Sequence, residues 1–172
     1  GGRVWEVDLA TEDAPADEQF DLIVTVMTLH HIPELTPVLA GFRRLLAPGG
    51  RLCIVDLDEE DGSFHGDGFG GHHGFARPVL RAQLEGAGFT DVSIEDCHRM
   101  QREGRDFQLF LALLDGRMLG VVRATLGVFV VGDGMGDDPM AVQALRDSCD
   151  VEVNEPSVAV AEALLRALAN RA

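Results

Sequence analysis

Lysine is absent from this chain of 172 residues, and all 14 of its basic residues are arginine. The absence excludes any mechanism that depends on a lysine amine, including the use of lysine to neutralise a phosphate. Basic residues are also outnumbered, because 29 acidic residues leave a formal net charge of −15. A nucleic-acid partner requires a basic face, so this charge balance predicts that the protein binds no nucleic acid.

The sequence also lacks long apolar runs and paired cysteines. No apolar run reaches the roughly 18 residues that a bilayer-spanning helix needs, so we predict no membrane partner. Cys53, Cys97 and Cys149 lie far apart without a CxxC pair, which disfavours a disulfide scaffold and a zinc knuckle. The first residues, Gly1-Gly2-Arg3-Val4-Trp5, do not form a signal peptide. Together these features predict a reducing, cytoplasmic location.

The composition that is present, 46% apolar and 25% charged, is typical of a globular protein. The length suits one buried core, so we predict a single domain over residues 1–172. Strand and helix patterns alternate, which is typical of an α/β protein whose mostly parallel sheet is covered on both faces.

The predicted strands are Val4–Val7, Phe20–Met27, Leu52–Val55, Val92–Ile94, Phe107–Leu114, Gly127–Val131 and Val151–Asn154, the fourth and fifth forming an antiparallel pair. The predicted helices are residues 35–46, residues 76–87, a segment that begins after Gly136 and ends at about Arg146, and residues 157–170. Pro48-Gly49-Gly50 is expected to end the first helix. Residues 58–74 form a glycine-rich loop, which we interpret as a lid because long loops in compact domains are often functional.

A glycine-rich turn, Gly132-Asp133-Gly134-Met135-Gly136, stands between a predicted strand and a predicted helix. Glycines there let the backbone approach a ligand, and the helix amides favour an anion. A dinucleotide fingerprint requires glycine or alanine where Asp137 stands, so a nicotinamide cofactor fits poorly. Glu155 ends the next predicted strand, where a carboxylate can accept both hydroxyls of an adenosine ribose. The alternative is a tight turn beside a surface acid.

Four further segments carry a family resemblance. They are Phe20-Asp21-Leu22-Ile23-Val24 through Leu29-His30-His31-Ile32-Pro33, then Leu45–Leu52, Asp56–His65 and Leu84–Phe89. Over residues 20–114 the chain resembles the C-terminal half of a class I S-adenosylmethionine-dependent methyltransferase of the small-molecule, type 11/12-like kind. That resemblance implies a three-layer Rossmann-like sandwich with a seven-stranded sheet, six strands parallel and one antiparallel.

The order of the segments differs from that family, because the glycine-rich turn comes last instead of first. Residues 128–172 resemble the family's N-terminal half, and joining Ala172 to Gly1 restores the family's order. We therefore interpret the chain as a circular permutation, with 1–114 as the family's C-terminal part and 115–127 as a connector. A break in an exposed loop is tolerated when the termini lie close together.

The resemblance also implies roles for individual residues. Gly132, Asp133, Gly134 and Gly136 would line the methionine part of S-adenosylmethionine, and Glu155 would hold its ribose. Asp8 and Leu9 would face the adenine. Thr25 and Met27 would close the pocket beneath the sulfonium. The expected reaction is methyl transfer to a small-molecule acceptor, which leaves S-adenosylhomocysteine as the product.

Histidine supplies the candidate bases, because its pKa lies in the useful range. The five candidates are His30, His31, His65, His72 and His73. His30 is preferred as the base, since it lies just past a strand end. The alternative for each of them is a structural role. By composition, His65, Asp67, His72 and His73 are compatible with a metal site. Their spacing matches no defined ligand pattern, so we predict no metal.

Two alternatives stay open. Asp56-Leu57-Asp58 and the segment Gly132–Met140 also resemble parts of haloacid-dehalogenase-like phosphatases, although Glu60 and the lack of lysine disagree with that family. The chain is also compatible with a permuted or engineered scaffold that binds the cofactor or nothing, because the connector 115–127 is short for an acceptor pocket. The sequence leaves the acceptor and the oligomeric state open.

Overall fold

The structure, a computed structural model, describes Leu9, residues 19–115 and residues 126–128. Five strands, two α-helices and a one-turn 3₁₀ helix lie in this part of the chain. In chain order they are β1 (Phe20–Val26), the 3₁₀ helix (Leu29–His31), α1 (Leu35–Leu45), β2 (Leu46–Leu57), α2 (Arg77–Gly86), β3 (Thr90–Arg102), β4 (Arg105–Asp115) and β5 (Leu126–Val128).

The strands form one mixed sheet in the order β3-β4-β2-β1-β5. β1 pairs in parallel with β2 on one side and with β5 on the other, whereas β4 is antiparallel to both β2 and β3. Four described strands are therefore parallel to one another and one is antiparallel. This agrees with the mixed sheet that was predicted. The strands predicted at Val4–Val7 and Val151–Asn154 lie outside the described residues.

Apolar side chains are buried on both faces of the sheet. Each strand contributes to both faces, because its successive side chains point to opposite sides. On one side Ile23, Leu52, Ile54, Phe110 and Ala112 join a core cluster with the apolar faces of α1 and α2. A second cluster holds the alternate residues of the same strands, including Val24, Cys53, Val55, Leu111 and Leu113. Both described α-helices thus cover one face. The helices predicted after residue 136 lie outside the described residues.

The helices follow from the apolar spacing and the terminal residues. In α1 the buried side chains recur at three- and four-residue intervals and are Leu35, Val38, Leu39, Phe42 and Leu45. α2 carries a proline in its first turn, where no backbone donor is needed, and buries Leu80 and Leu84. Among the described residues, no helix is long and apolar enough to cross a membrane.

Two strand boundaries differ from the predictions. α1 ends at Leu45 and the backbone becomes extended at Leu46, so Pro48-Gly49-Gly50 lies inside β2 instead of following the helix. An irregular register between Phe20 and Leu22 of β1 accommodates that segment. β3 was predicted as Val92–Ile94 but runs for 13 residues, because it continues with β4 as a long antiparallel ribbon.

Candidate functional site

The candidate site lies where β1 and β2 end. The carboxyl ends of parallel strands meet at one edge of a sheet, and ligands of doubly wound folds bind there. Every buried polar side chain in the described part of the chain lies at this edge; they are Thr25, Thr28, His30 and Asp56. Because burying a polar group is costly unless it is bonded, this clustering distinguishes the edge from the rest of the core.

The chain leaves β1 through a sharp turn. Met27 has φ of 50°, a left-handed conformation that is uncommon for a residue with a side chain and that clusters at functional sites. Its backbone N–H donates to the carbonyl of Val55 on β2 at 2.8 Å. Thr28 then donates its hydroxyl to the carbonyl of Val26 at 2.9 Å. These bonds start the one-turn helix that directs His30 towards the end of β2.

His30 and Asp56 form a fully buried pair. Nδ1 of His30 lies 2.5 Å from Oδ1 of Asp56, and both side chains have 0% exposure. The carboxylate also accepts the backbone N–H groups of Leu29 (2.9 Å to Oδ2) and Leu57 (2.8 Å to Oδ1). A carboxylate can only accept, so Nδ1 of His30 carries the proton and Nε2 is left as the second functional atom of the ring.

The second ring nitrogen of His30 faces other aromatic side chains. Nε2 is buried and has no hydrogen-bond partner in the structure. The ring centroid of His30 lies 4.2 Å from that of His31 and 5.1 Å from that of His65. Phe64 and Phe69 complete the surroundings at 6.1 and 6.2 Å. An imidazole that is oriented through one ring nitrogen and unpaired at the other is suited to accept a proton from a bound molecule.

Residues 58–74, hereafter the histidine loop, cover His30. The backbone N–H of His72 donates to the carbonyl of His30 at 2.7 Å. Gly71 lies so close that a Cβ at this position would collide with that same carbonyl oxygen. Further along the loop, Phe64 packs edge-on against Phe107 of β4, with ring centroids 5.0 Å apart. The segment predicted as a lid therefore lies directly over the proposed base.

The structure describes four of the predicted site residues. Thr25, which is 2% exposed, Met27 and His30 lie at the same strand end. Leu9 packs against Gly41 of α1. The remaining six lie outside the described residues: Asp8, Gly132, Asp133, Gly134, Gly136 and Glu155.

The four residues considered as a metal set do not meet. His65 joins His30 and His31, whereas a ring nitrogen of His72 lies 3.0 Å from the carbonyl oxygen of Ile32. His73 faces Glu60, with 3.4 Å between Nδ1 and Oε1. Asp67 is exposed.

Asp56 is a candidate site residue to which the sequence analysis assigned no role in methyl transfer, because it was named only within a family-like segment and the phosphatase-like motif. The signal in the sequence was a carboxylate that ends the apolar run Leu52–Val55 and stands one strand after a histidine. Its role also weighs against the phosphatase alternative. Asp56 is bonded on both oxygens, and Asp58 is held by the Arg77 guanidinium at 2.7 and 2.5 Å. Neither carboxylate is free to attack a phosphate.

Comparisons with known proteins point to one family. Residues 1–52 match the family described as a methyltransferase domain. An uncharacterized methyltransferase of Schizosaccharomyces pombe is 30% identical over 91 residues, which is 48% of this chain and 32% of that protein. A polyketide synthase-nonribosomal peptide synthetase of Aspergillus clavatus is 38% identical over 60 residues, which is 35% of this chain and 2% of that protein. The chain therefore spans about a third of the length of the first relative and a small fraction of the second.

A solved structure of low sequence identity shares the fold. An S-adenosylmethionine-dependent methyltransferase of Methanosarcina mazei aligns with a TM-score of 0.53 at 17% identity, over 66% of this chain and 67% of that one. The N-methyltransferase NodS of Bradyrhizobium japonicum, in complex with S-adenosylhomocysteine, aligns with a TM-score of 0.47 at 23% identity, over 64% and 52% of the two chains. At 17% identity, the likeness to the Methanosarcina mazei structure concerns the fold alone.

Proposed function

We propose that the chain, whose residues 1–52 match a methyltransferase domain family, transfers a methyl group from S-adenosylmethionine to a small molecule. The observation that carries this proposal is the His30–Asp56 pair at the carboxyl ends of β1 and β2. The ionisable groups buried at this edge are an imidazole and one carboxylate. The carboxylate is occupied by three donors, so the imidazole that it orients is the group of this pair that can act on a bound acceptor.

In the proposed reaction, bound S-adenosylmethionine supplies an electrophilic methyl carbon. A lone pair of the acceptor forms the new bond to that carbon as the carbon–sulfur bond breaks, and the electron pair of the broken bond stays on sulfur. Alignment of the acceptor supplies much of the acceleration. Nε2 of His30 takes the proton that the acceptor loses, and Asp56 stabilises the resulting positive ring through its bond to Nδ1. We therefore propose an acceptor that is protonated at neutral pH.

The order of the chain is part of the same proposal. In a doubly wound sheet the first strand lies beside the fourth, at the point where the strand order reverses. If β1 corresponds to the family's fourth strand, the family's first strand is expected to pair with the edge of β1 that faces away from β2. β5 pairs there in parallel, with Leu22 opposite Leu126 and Val24 opposite Val128. This pairing supports a circular permutation in which residues 128–172 supply the cofactor half of the site.

A calorimetric titration with S-adenosylhomocysteine tests the proposal. We expect saturable one-to-one binding in the micromolar range, about −8 kcal/mol. Magnesium with a phosphate mimic is the control, and we expect no heat of binding from it. Absence of S-adenosylhomocysteine binding by a chain whose circular dichroism shows it to be folded would contradict the proposal.

Glu155→Ala tests the assigned cofactor contact. We expect binding of S-adenosylhomocysteine to weaken by about 1–3 kcal/mol, since the ribose hydroxyls lose a charged acceptor. The matched control is Asp150→Ala, another acid of the same region, for which no change is expected. Equal affinities in both variants would remove Glu155 from the ribose role.

A further inference from the structure

Three histidine side chains converge beside the buried pair. His30, His31 and His65 each offer one ring nitrogen, and these three atoms all lie within 4.8 Å of one another. We propose that these residues, hereafter the histidine cluster, bind one divalent transition-metal ion. The inference concerns metal binding alone, so it stands or falls independently of methyl transfer.

The geometry of His30 is the first argument. Histidines that bind metals almost always donate the other ring N–H to a carboxylate or a carbonyl, which fixes the ring and strengthens the ligand. His30 has this arrangement, with Nδ1 held by Asp56 and Nε2 buried without a hydrogen-bond partner in the structure. A buried nitrogen without a partner is costly, and coordination of a cation would satisfy it.

The second argument is how the other two rings are held. His31 follows His30 in the one-turn helix, where its backbone N–H donates to the carbonyl of Thr28 at 3.0 Å. His65 comes from the histidine loop and stacks on Phe69, with ring centroids 3.8 Å apart and 15° between the planes. The rings of His31 and His65 are 5.0 Å apart. Two segments that are distant in sequence therefore present their imidazoles to one point.

The donor set indicates the kind of ion. Imidazole ligands suit Zn²⁺, Co²⁺, Ni²⁺ and Cu²⁺, whereas Mg²⁺ and Ca²⁺ prefer oxygen. Three protein ligands also leave a fourth position of a tetrahedral ion open to a small molecule. Nε2 of His30 cannot bind an ion and accept a proton at the same time. A bound ion is therefore expected to suppress any methyl transfer that uses His30 as the base.

Titration of the purified, tag-free chain with Co²⁺ after removal of metal with a chelator tests the site. We expect one Co²⁺ per chain, a visible absorption band typical of low-coordinate cobalt, and loss of that band on addition of one equivalent of Zn²⁺. His65→Gln is expected to abolish the band. His98→Gln, a matched change on β3 outside the cluster, is expected to leave it unchanged. A band that survives His65→Gln, or that is lost in His98→Gln, would overturn the proposal.

Nuclear magnetic resonance of the histidine rings in the unsubstituted chain provides a test that needs no variant. Addition of Zn²⁺ should shift the ring nitrogens of His30, His31 and His65. Those of His72 and His73 should stay in place. Shifts confined to His72 and His73 would instead assign the ion to the neighbourhood of Glu60, and no shift at any ring would show that no site exists. Either result contradicts the proposal, and neither depends on S-adenosylmethionine.

Discussion

At the scale of single residues, the feature that organises the site is a carboxylate with no access to solvent. Asp56 is bonded to the ring of His30 and to two backbone N–H groups, so its charge is compensated within the protein. Removal of one partner from such a buried set destabilises a protein far more than removal of one partner from a surface ion pair. The reason is that the remaining groups stay buried and unpaired. Asp56 therefore contributes to stability as well as to the orientation of His30.

Asp56→Ala should destabilise the protein by about 3–5 kcal/mol, since three donors lose their acceptor in a dry environment. Urea denaturation followed by circular dichroism measures the change. Asp67→Ala, in the exposed part of the histidine loop, should alter the free energy of unfolding by about 0.5 kcal/mol or less. Similar losses in the two variants would show that the His30–Asp56 bond is unimportant for folding.

His30→Gln should lower kcat for methyl transfer by a factor of about 10²–10⁴, the usual contribution of a positioned base. Once an acceptor is identified, steady-state kinetics measure this change. Affinity for S-adenosylhomocysteine should be unchanged, because the proposed contacts of His30 are to the acceptor. His98→Gln serves as the control. Full activity of His30→Gln across the pH range would exclude it as the base.

Cys53 should not react in the native protein. Burial in the sheet, opposed weakly by Arg51, raises the pKa of its thiol to about 12, so almost no thiolate exists at neutral pH. Cys97 is half-buried, and burial raises its pKa as well. Iodoacetamide labelling with peptide mapping should modify Cys97 before Cys53, and urea should expose both. Equal labelling of the two in the native state would contradict the burial of Cys53.

At the scale of elements, the histidine loop is fixed at its C-terminal end by a backbone ladder. Phe75 donates to Leu57 at 2.9 Å and Glu59 donates to Phe75 at 3.1 Å, so the loop closes directly onto the end of β2. Gly74 makes this closure possible. Its φ is +69°, and a Cβ there would collide with the carbonyl oxygen of Asp58.

Gly74→Ala should therefore destabilise the protein by at least about 2 kcal/mol more than Gly66→Ala does. Gly66 is the matched control, because its φ is +79° but a Cβ added there would meet no other atom within 4 Å. Both variants incur the cost of a left-handed residue, and only Gly74→Ala adds a backbone collision. Urea denaturation gives the difference. Equal losses would mean that the loop does not approach Asp58 so closely.

Element positions were largely predictable where apolar periodicity is strong. β1 and α1 were expected almost at their observed bounds, because the run of residues 20–27 and the helical spacing of 35–45 are continuous. The length of β3 was not predictable, since the sequence Thr90–Arg102 shows no regular alternation of apolar and polar residues. The ribbon instead depends on pairing with β4, and the turn uses positive φ at Glu103 and Gly104.

The candidate site was predictable only in part for a related reason. His30 was expected from its position after a strand. Its partner Asp56 lies 26 residues further along the chain and becomes a neighbour only because β1 and β2 pair. The meeting of His65 with His30 likewise depends on the path of a long loop. Neither contact has a periodicity or a fixed spacing that a sequence could display.

At the scale of the whole molecule, the proposed permutation implies that the chain ends can be moved while the packing of the helices and strands stays the same. Joining Ala172 to Gly1 and opening the chain between Asp115 and Gly116 should give a protein with the same circular dichroism spectrum and the same affinity for S-adenosylhomocysteine. An opening between Cys53 and Ile54, inside the central strand β2, is the control and should prevent folding. Failure of the first rearranged chain to fold would contradict the permutation.

The long ribbon has a consequence for self-association. β3 ends the described sheet on one side, and an edge strand offers unpaired backbone groups to any other extended chain. Its exposed side chains include the charged residues Glu95 and Arg99, and charged side chains on an edge strand disfavour pairing with another chain. With a net charge of −15 on each chain, such a pairing is opposed at long range as well. The charged side chains of this edge, together with the net charge of the chain, thus protect a strand that would otherwise be a template for aggregation.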